Sequence, residues 1–352
     1  MLYDWFMYKY LFFGSVAVIA ILLFSGRGVL PVADEPTAPV WEQKRTASGE
    51  PLRIGLITDT HVDSVRPPSR ILEERTMPDK YTGPMQDFVD RMQAFDPAFN
   101  VHVGDLIEGT GVDPEVGEWE TRFVRDAFSA LSMPMYWVIG NHDLRSISRK
   151  DFRQELEIDY TNHYFDEGDY RFVIIDSNYR FDGVPNHVGS GDPVSGYIPR
   201  ETLAWLTDVL ATDLHVYVFM HHSAVPGDFT GKNQIDNHQA VRDLFASYNV
   251  SAVFSGHIEK RFQGDFDGVT YYTLPGIVKS PDYLGAHYTL SVQGDAVDLR
   301  LHYRDSDNGL VEEPFFVEEK MIDRIIAAKA KAEAEAAVSD EGDEGGEEID
   351  ES

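Results

Sequence analysis

The chain contains no cysteine in 352 residues, which removes disulfides, thiolate metal ligands and cysteine nucleophiles together. Any metal site must therefore be built from His, Asp, Glu or Asn. Basic residues are also scarce: 30 Lys and Arg stand against 60 Asp and Glu, giving a formal net charge of -30. Such a chain repels a nucleic-acid backbone at long range, so nucleic acid is disfavoured as a partner. Eight of the acids close the chain in "SDEGDEGGEEIDES", and the rest are spread along it, with Asp outnumbering Glu and Arg outnumbering Lys. That pattern suits a high-salt habitat, where charge is screened, as well as an ordinary soluble acidic protein. No internal repeat is visible.

At the N-terminus, residues 10–26 of "MLYDWFMYKYLFFGSVAVIAILLFSGRG" carry no charge. The run lies at the short edge of what spans a hydrocarbon core and is too apolar for an ordinary surface helix. Residues 1–29 are read as a retained membrane anchor or a cleaved signal segment. A proline at the nearest small-residue site, Pro31-Val32-Ala33, argues against cleavage. Either reading attaches the protein to a membrane or exports it, with the main domain extracytoplasmic. Residues 30–51, rich in Pro, Ala and charge without apolar periodicity, read as a linker.

From Leu52, short apolar runs alternate with helical patterns: "LRIGLIT", "MQDFVDRMQAF", "FNVHVG", "WETRFVRDAFSAL", "MYWVIG", "RFVIID", "TLAWLTDVLA", "HVYVFM", "AVRDLFASY" and "VSAVFSG". This is βαβ traffic. It is followed by consecutive strands in "GVTYYTL" and "HYTLSVQGDAVDLRLHY", with a turn at Gln293-Gly294-Asp295. The pattern predicts an α/β domain over 52–315 with a largely parallel sheet and a second, partly antiparallel one. Residues 316–352 read as a helix-prone segment ending in the acidic tail.

The chemistry sits at the ends of the strand-like runs. Asp59 and His61 follow the first, Asp105 the next, Asn141, His142 and Asp143 follow "MYWVIG", His221 and His222 follow "HVYVFM", and His257 follows "VSAVFSG". In an open α/β sheet the C-terminal strand ends line the ligand crevice, so five such ends in series can converge on one centre. Two divalent cations about 3.5–4 Å apart need a bridging carboxylate against their mutual repulsion, and together they bring a shared water towards ionisation near neutral pH. Asp105 suits that bridge. A neutral amide such as Asn141 ligates without adding negative charge, and a nearby histidine can protonate a leaving oxygen.

The order Asp-x-His, Gly-Asp, Gly-Asn-His-Asp, strand-terminal His and Gly-His resembles the calcineurin-like metallophosphoesterase superfamily over about residues 52 to 303. Gly140-Asn141-His142-Asp143 is the most specific part. The resemblance implies a four-layer αββα sandwich of two mixed β-sheets and a dinuclear centre that hydrolyses a phosphoester, as a phosphatase or a phosphodiesterase. It implies that Asp59 and His61 hold the first metal, that Asp105 bridges, that Asn141, His221 and His257 complete the second, and that catalytic His142 stands just outside. The donor set admits Mn, Fe or Zn. The alternative is a membrane-anchored binding or scaffold protein whose site has decayed within the same fold.

One position departs from the family pattern, which has a histidine two residues after His257; this chain has Glu259. In an extended segment, residues two apart face the same side, so Glu259 is read as a ligand of the first metal, against the option that it turns to solvent or pairs with Lys260 or Arg261. His102 reads as a packed strand histidine, and His222 as a phosphate contact or a support for a ligand. Two long loops, 63–84 and 177–199, offer Arg66, Arg70 and Asn186 as substrate contacts.

Overall fold

The structure, a computed structural model, describes residues 49–64, 81–188, 195–226 and 233–316, all within one compact unit, Trp41–Ser352. The expected membrane segment, nearly all of the linker, Arg66, Arg70 and all of the C-terminal segment beyond Phe316 lie outside the described residues. Among the described residues no helix is long and apolar enough to cross a membrane.

Two six-stranded sheets face each other. The first runs in the order β12 (Leu310–Pro314), β11 (Ala296–Arg304), β10 (Leu284–Gln293), β1 (Leu52–Ile57), β2 (Phe99–His102) and β3 (Met135–Trp137). The second runs β4 (His163–Glu167), β5 (Tyr170–Ile175), β6 (His215–Met220), β7 (Val250–Ser255), β9 (Val269–Thr273) and β8 (Phe262–Phe266). The parallel strands do not share one sheet, as the sequence pattern suggests. β1, β2 and β3 pair in parallel and are extended by antiparallel β10 to β12, whereas β5, β6, β7 and β9 form the parallel centre of the other sheet. A run buried on both faces is continuously apolar in either sheet, so hydrophobicity alone cannot assign it to one of them.

Ile54, Leu56, Val101, Tyr288 and Leu290 meet Phe172, Ile174, Tyr217, Phe219 and Phe254 between the sheets, all fully buried. Each such side chain contributes about 1.5–3 kcal/mol by leaving water. The outer face of the first sheet is covered by α1 (Thr82–Phe95), α2 (Pro114–Ala127) and α3 (Arg149–Leu156), through Phe88 and Met92, Val124, and Phe152. Helices α4 (Arg200–Leu210) and α5 (His238–Ala246) cover the second, through Leu206 and Leu210, and Val241 and Phe245. The result is the four-layer αββα sandwich. Helix starts follow local chemistry: Pro114 opens α2, where its missing N–H is not needed, and Ser148 with Asp151 closes a reciprocal capping box on α3.

Under α1, His287 of β10 and His302 of β11 lie opposite each other with ring centroids 5.3 Å apart, and the edge of Phe88 meets His287 at 6.0 Å. Burial pushes His287 down from 6.5 to about 4, with Asp87 opposing and Arg91, Arg304 and the His302 ring also nearby. The unfolded imidazole takes up a proton near 6.5, which the folded one refuses until about pH 4. Stability present above pH 6.5 is therefore lost as pH falls through that window, by up to about 1.4 kcal/mol per pH unit. Urea midpoints taken near pH 7 and near pH 4.5 are expected to fall less for His287→Phe than for the native chain. Equal losses would place the acid sensitivity elsewhere.

Candidate metal centre

The C-terminal ends of β1, β2 and β3 of the first sheet and of β6 and β7 of the second deliver their following residues to one cluster. Pairing continues past the strands: Asp59 N donates to Gly104 O at 3.0 Å, and His61 N to Asp105 O at 3.1 Å. This sets the Asp59 and Asp105 turns side by side. Asp59, His61, Asp105, His257 and Glu259 all have positive φ, between 42° and 66°. Non-glycine residues rarely adopt that region, and such strain collects at functional sites, at roughly 1–3 kcal/mol per residue. Close approach is served by glycine: a Cβ on Gly140 would lie 2.2 Å from Asp105 Oδ1, and one on Gly104 (φ +97°) 2.4 Å from the ring of His221.

Asp105 is divided in its duties. Its Oδ1 accepts the His142 backbone N–H at 2.8 Å, while its Oδ2 lies 3.1 Å from His221 Nε2, 3.7 Å from His61 Nε2 and 3.9 Å from His142 Nε2. Asp59 accepts from Thr58 Oγ1 at 2.6 Å and from the His257 N–H, and lies 3.5 Å from His61 Nε2. Asn141 Oδ1 stands 3.2 Å from His221 Nε2 and 3.0 Å from His257 Nδ1. The His221 Nδ1 faces the Val103 carbonyl at 2.8 Å, which commits that nitrogen as a donor and turns Nε2 towards Asp105 and Asn141 as the nitrogen that could ligate a cation. Among the described residues, three overlapping groups could each hold a cation: Asp59 with His61 and Glu259, Asp105 with His221 and His257, and His61 with Asp105 and His142.

The electrostatics favour positive charge. Burial alone would raise the carboxyl groups, but His61 and His221 hold Asp59 below its usual range, and His221 and His142 hold Asp105 well below. Burial likewise opposes charge on the imidazoles, yet Asp59, Glu108 and Glu259 hold His61 well above its usual value, and Asp105 pushes His221 up to about 9. The same carboxylates and imidazoles could hold divalent cations in place of these protons. Imidazole nitrogen, carboxylate oxygen and one amide make a donor set that fits Mn, Fe or Zn.

Residues 52–260 match the calcineurin-like phosphoesterase family. The chain belongs to that family. A probable cyclic nucleotide phosphodiesterase of Pseudoalteromonas sp. (strain SM9913) is 25% identical over 153 residues, 42% of this chain and 52% of the relative. The chain thus spans about half the length of that relative. A dimetal phosphatase from Danio rerio has the same fold with a TM-score of 0.59 at 18% identity, over 76% of this chain and 100% of the other. GAP50, the anchor in the inner membrane complex of Plasmodium, gives 0.52 at 11% identity, over 76% of this chain and 90% of its own.

Within this calcineurin-like framework, all eight sequence-chosen residues, His142 and Glu259 included, gather in one cluster. Glu259 reaches it by a different route from the one expected. Residues 257–259 are not extended; His257 and Glu259 have φ of 66° and 52°, and the turn brings Glu259 Oε1 3.1 Å from His61 Nε2. Arg261 does not pair with Glu259 but is taken by Glu313 and the carbonyls of Pro314 and Phe315. His102 is fully buried, 3.2 Å from Thr60 Oγ1 and stacked on Trp137, and burial lowers it to about 3, so it stays neutral. His222 is buried too, held 2.8 Å from Ser177 Oγ with its ring 4.4 Å from His257, so it backs that histidine. Asn186 is buried in a short hairpin with Asn178 and is not offered at the surface.

Sequence reasoning named Asp143 without giving it a role and missed three further residues. Asp143 accepts the N–H groups of Leu106, Ile107 and Gly140 and so holds the Asp105 turn. Glu108 Oε2 lies 3.3 Å from His61 Nδ1 and 3.1 Å from His142 Nδ1, behind both rings. Arg145 contacts Glu108 Oε1 at 3.1 Å, and Lys279 contacts Oε2 at 2.9 Å. Glu108 and Arg145 fall three residues after Asp105 and His142, a spacing that could have marked them. Lys279 carried no signal.

Proposed function

We propose that the chain hydrolyses a phosphoester at this cluster, with Asp59, His61 and Glu259 holding one divalent cation, Asn141, His221 and His257 a second, and Asp105 shared. When bound, the cations supply Lewis-acid charge for the phosphoryl oxygens and activate water near neutral pH. The protein's part is to fix donors and move a proton. Val103 O and Glu108 orient His221 and His61, and Asp143 and the His142 N–H hold Asp105 in place. His142, with its side chain 13% exposed and its Nε2 towards Asp105, is assigned as the acid that protonates the leaving oxygen.

The observation that carries this reading is the survival of Asp59, His61, Asp105, Asn141, His142, His221 and His257 in one cluster. A decayed scaffold would have no cause to keep strained φ angles on the turns of Asp59, His61, Asp105 and His257. The similarity to a probable cyclic nucleotide phosphodiesterase puts phosphodiesters first among the substrates to test. The uncharged run at 10–26 supports membrane attachment with this domain extracytoplasmic. Metal analysis of the purified protein and Mn-supplemented turnover of bis-nitrophenyl and mono-nitrophenyl phosphate test the proposal. About two metals per chain with turnover is the expected result; no metal and no turnover would leave the scaffold reading.

A further inference from the structure

Glu259 adds a negative charge where the family pattern has a neutral ring, and the structure places a cation against it. The loop after β9 packs on both segments that present the first-metal residues: Ile277 N donates to Thr58 O at 3.3 Å, and Ser280 Oγ, itself accepting from Gly276 N at 2.9 Å, donates to Glu259 O at 3.2 Å. The loop delivers Lys279, whose Nζ lies 2.9 Å from Glu108 Oε2, 3.2 Å from His61 Nδ1 and 4.0 Å from Glu259 Oε1. Its side chain is 37% exposed, so the ammonium keeps part of its hydration. Arg145 occupies the other oxygen of Glu108 and faces His142 Nδ1 at 2.7 Å. Of these two cations, Lys279 is the one on the His61 and Glu259 side.

We infer that Lys279 is the charge counterpart of Glu259, a positioning residue that returns the first metal site to the charge it would have with a histidine at that position. This rests on the reading of Glu259 as a ligand. Three carboxylates, Asp59, Asp105 and Glu259, face His61 Nε2 at 3.5, 3.7 and 3.1 Å. Without a compensating cation they would hold a divalent metal tightly but leave it less able to polarise an anionic substrate. A lysine beside them weakens the grip on the metal and restores that electrophilicity. Because the ammonium also touches Glu108 behind His61, it acts on the site through the ligands and needs no contact with the metal.

The sign of the effect separates this role from a structural one. Loss of a merely structural contact would loosen the site, whereas removal of the compensating charge should tighten it. Titration calorimetry of Mn2+ into the metal-free full chain is expected to show Lys279→Met binding Mn2+ at the first site roughly tenfold more tightly, since one charge at such a distance is worth about that much in a partly hydrated site. Lys279→Arg, which keeps the charge, should stay near native affinity. Glu259→His should bind less tightly than native, and Glu259→His combined with Lys279→Met should return close to it, because the charge sum is then unchanged. Lys279→Met affinity equal to or weaker than native overturns the role of Lys279 while leaving the metal centre standing. Absence of any effect of Glu259→His, or of Mn2+ binding by the native chain, overturns the ligand reading beneath it.

Discussion

Asp105→Asn is expected to empty the centre of metal and to abolish turnover together, whereas His142→Ala should keep its metal and lose rate alone. Asp105 belongs to two of the three candidate cation groups. Its Oδ1 is spent on the His142 N–H, and only Oδ2 is turned to the imidazoles of His61 and His221. An asparagine can still accept that N–H, so the turn should fold, but it brings no charge to offset the repulsion of two cations. His142 is different. It completes a third group with His61 and Asp105, so geometry alone would allow it to ligate. Its Nδ1, however, is engaged by Glu108 and Arg145 and its Nε2 is 3.9 Å from Asp105 Oδ2. Loss of a proton donor commonly lowers rate by about 10²–10⁴-fold. Metal content and kcat measured on the same preparations decide the matter: equal metal loss in both variants would make His142 a ligand and refute the division of roles.

The site was legible in the sequence because each ligand type closes an apolar run, and a buried parallel strand is the one element that single-sequence hydrophobicity marks well. "LRIGLI", "FNVH", "MYW", "HVYVFM" and "VSAVFS" are all strands, and their following residues form the cluster. Three of the four edge strands gave no such signal. β4 "HYFDE", β8 "FQGDF" and β12 "LVEEP" are only partly buried and carry acids, as sheet edges should. α3 "RKDFRQEL" carries little helical signal because its buried apolar residues are only Phe152 and Leu156. Lys279 arrives from a loop 218 residues beyond His61, and no local spacing connects the two. The positive φ angles are illegible for another reason: Asp, His and Glu adopt them here under tertiary constraint, against their own preference. That is also why the expectation of an extended 257–259 segment failed although Glu259 faces the centre.

Glu259→Ala is expected to release the first metal and most of the activity. The carboxylate lies within hydrogen-bond reach of His61 Nε2, its side chain is only 18% exposed, and it forms a candidate cation group with Asp59 and His61. Removing it leaves that group one donor short of the set Asp59 and His61 need to fix a cation. Carboxylate oxygen is an acceptable ligand for Mn or Fe, and imidazole favours Zn more strongly. Glu259→His should therefore recover occupancy lost in the alanine variant and improve the use of Zn relative to Mn. Recovery should stop short of native Mn affinity, because Lys279 stays in place and the site becomes one unit more positive. Metal content by elemental analysis, with turnover under Mn and under Zn, reads both effects. Native metal content and turnover in Glu259→Ala would make the glutamate a bystander that only hydrogen-bonds His61.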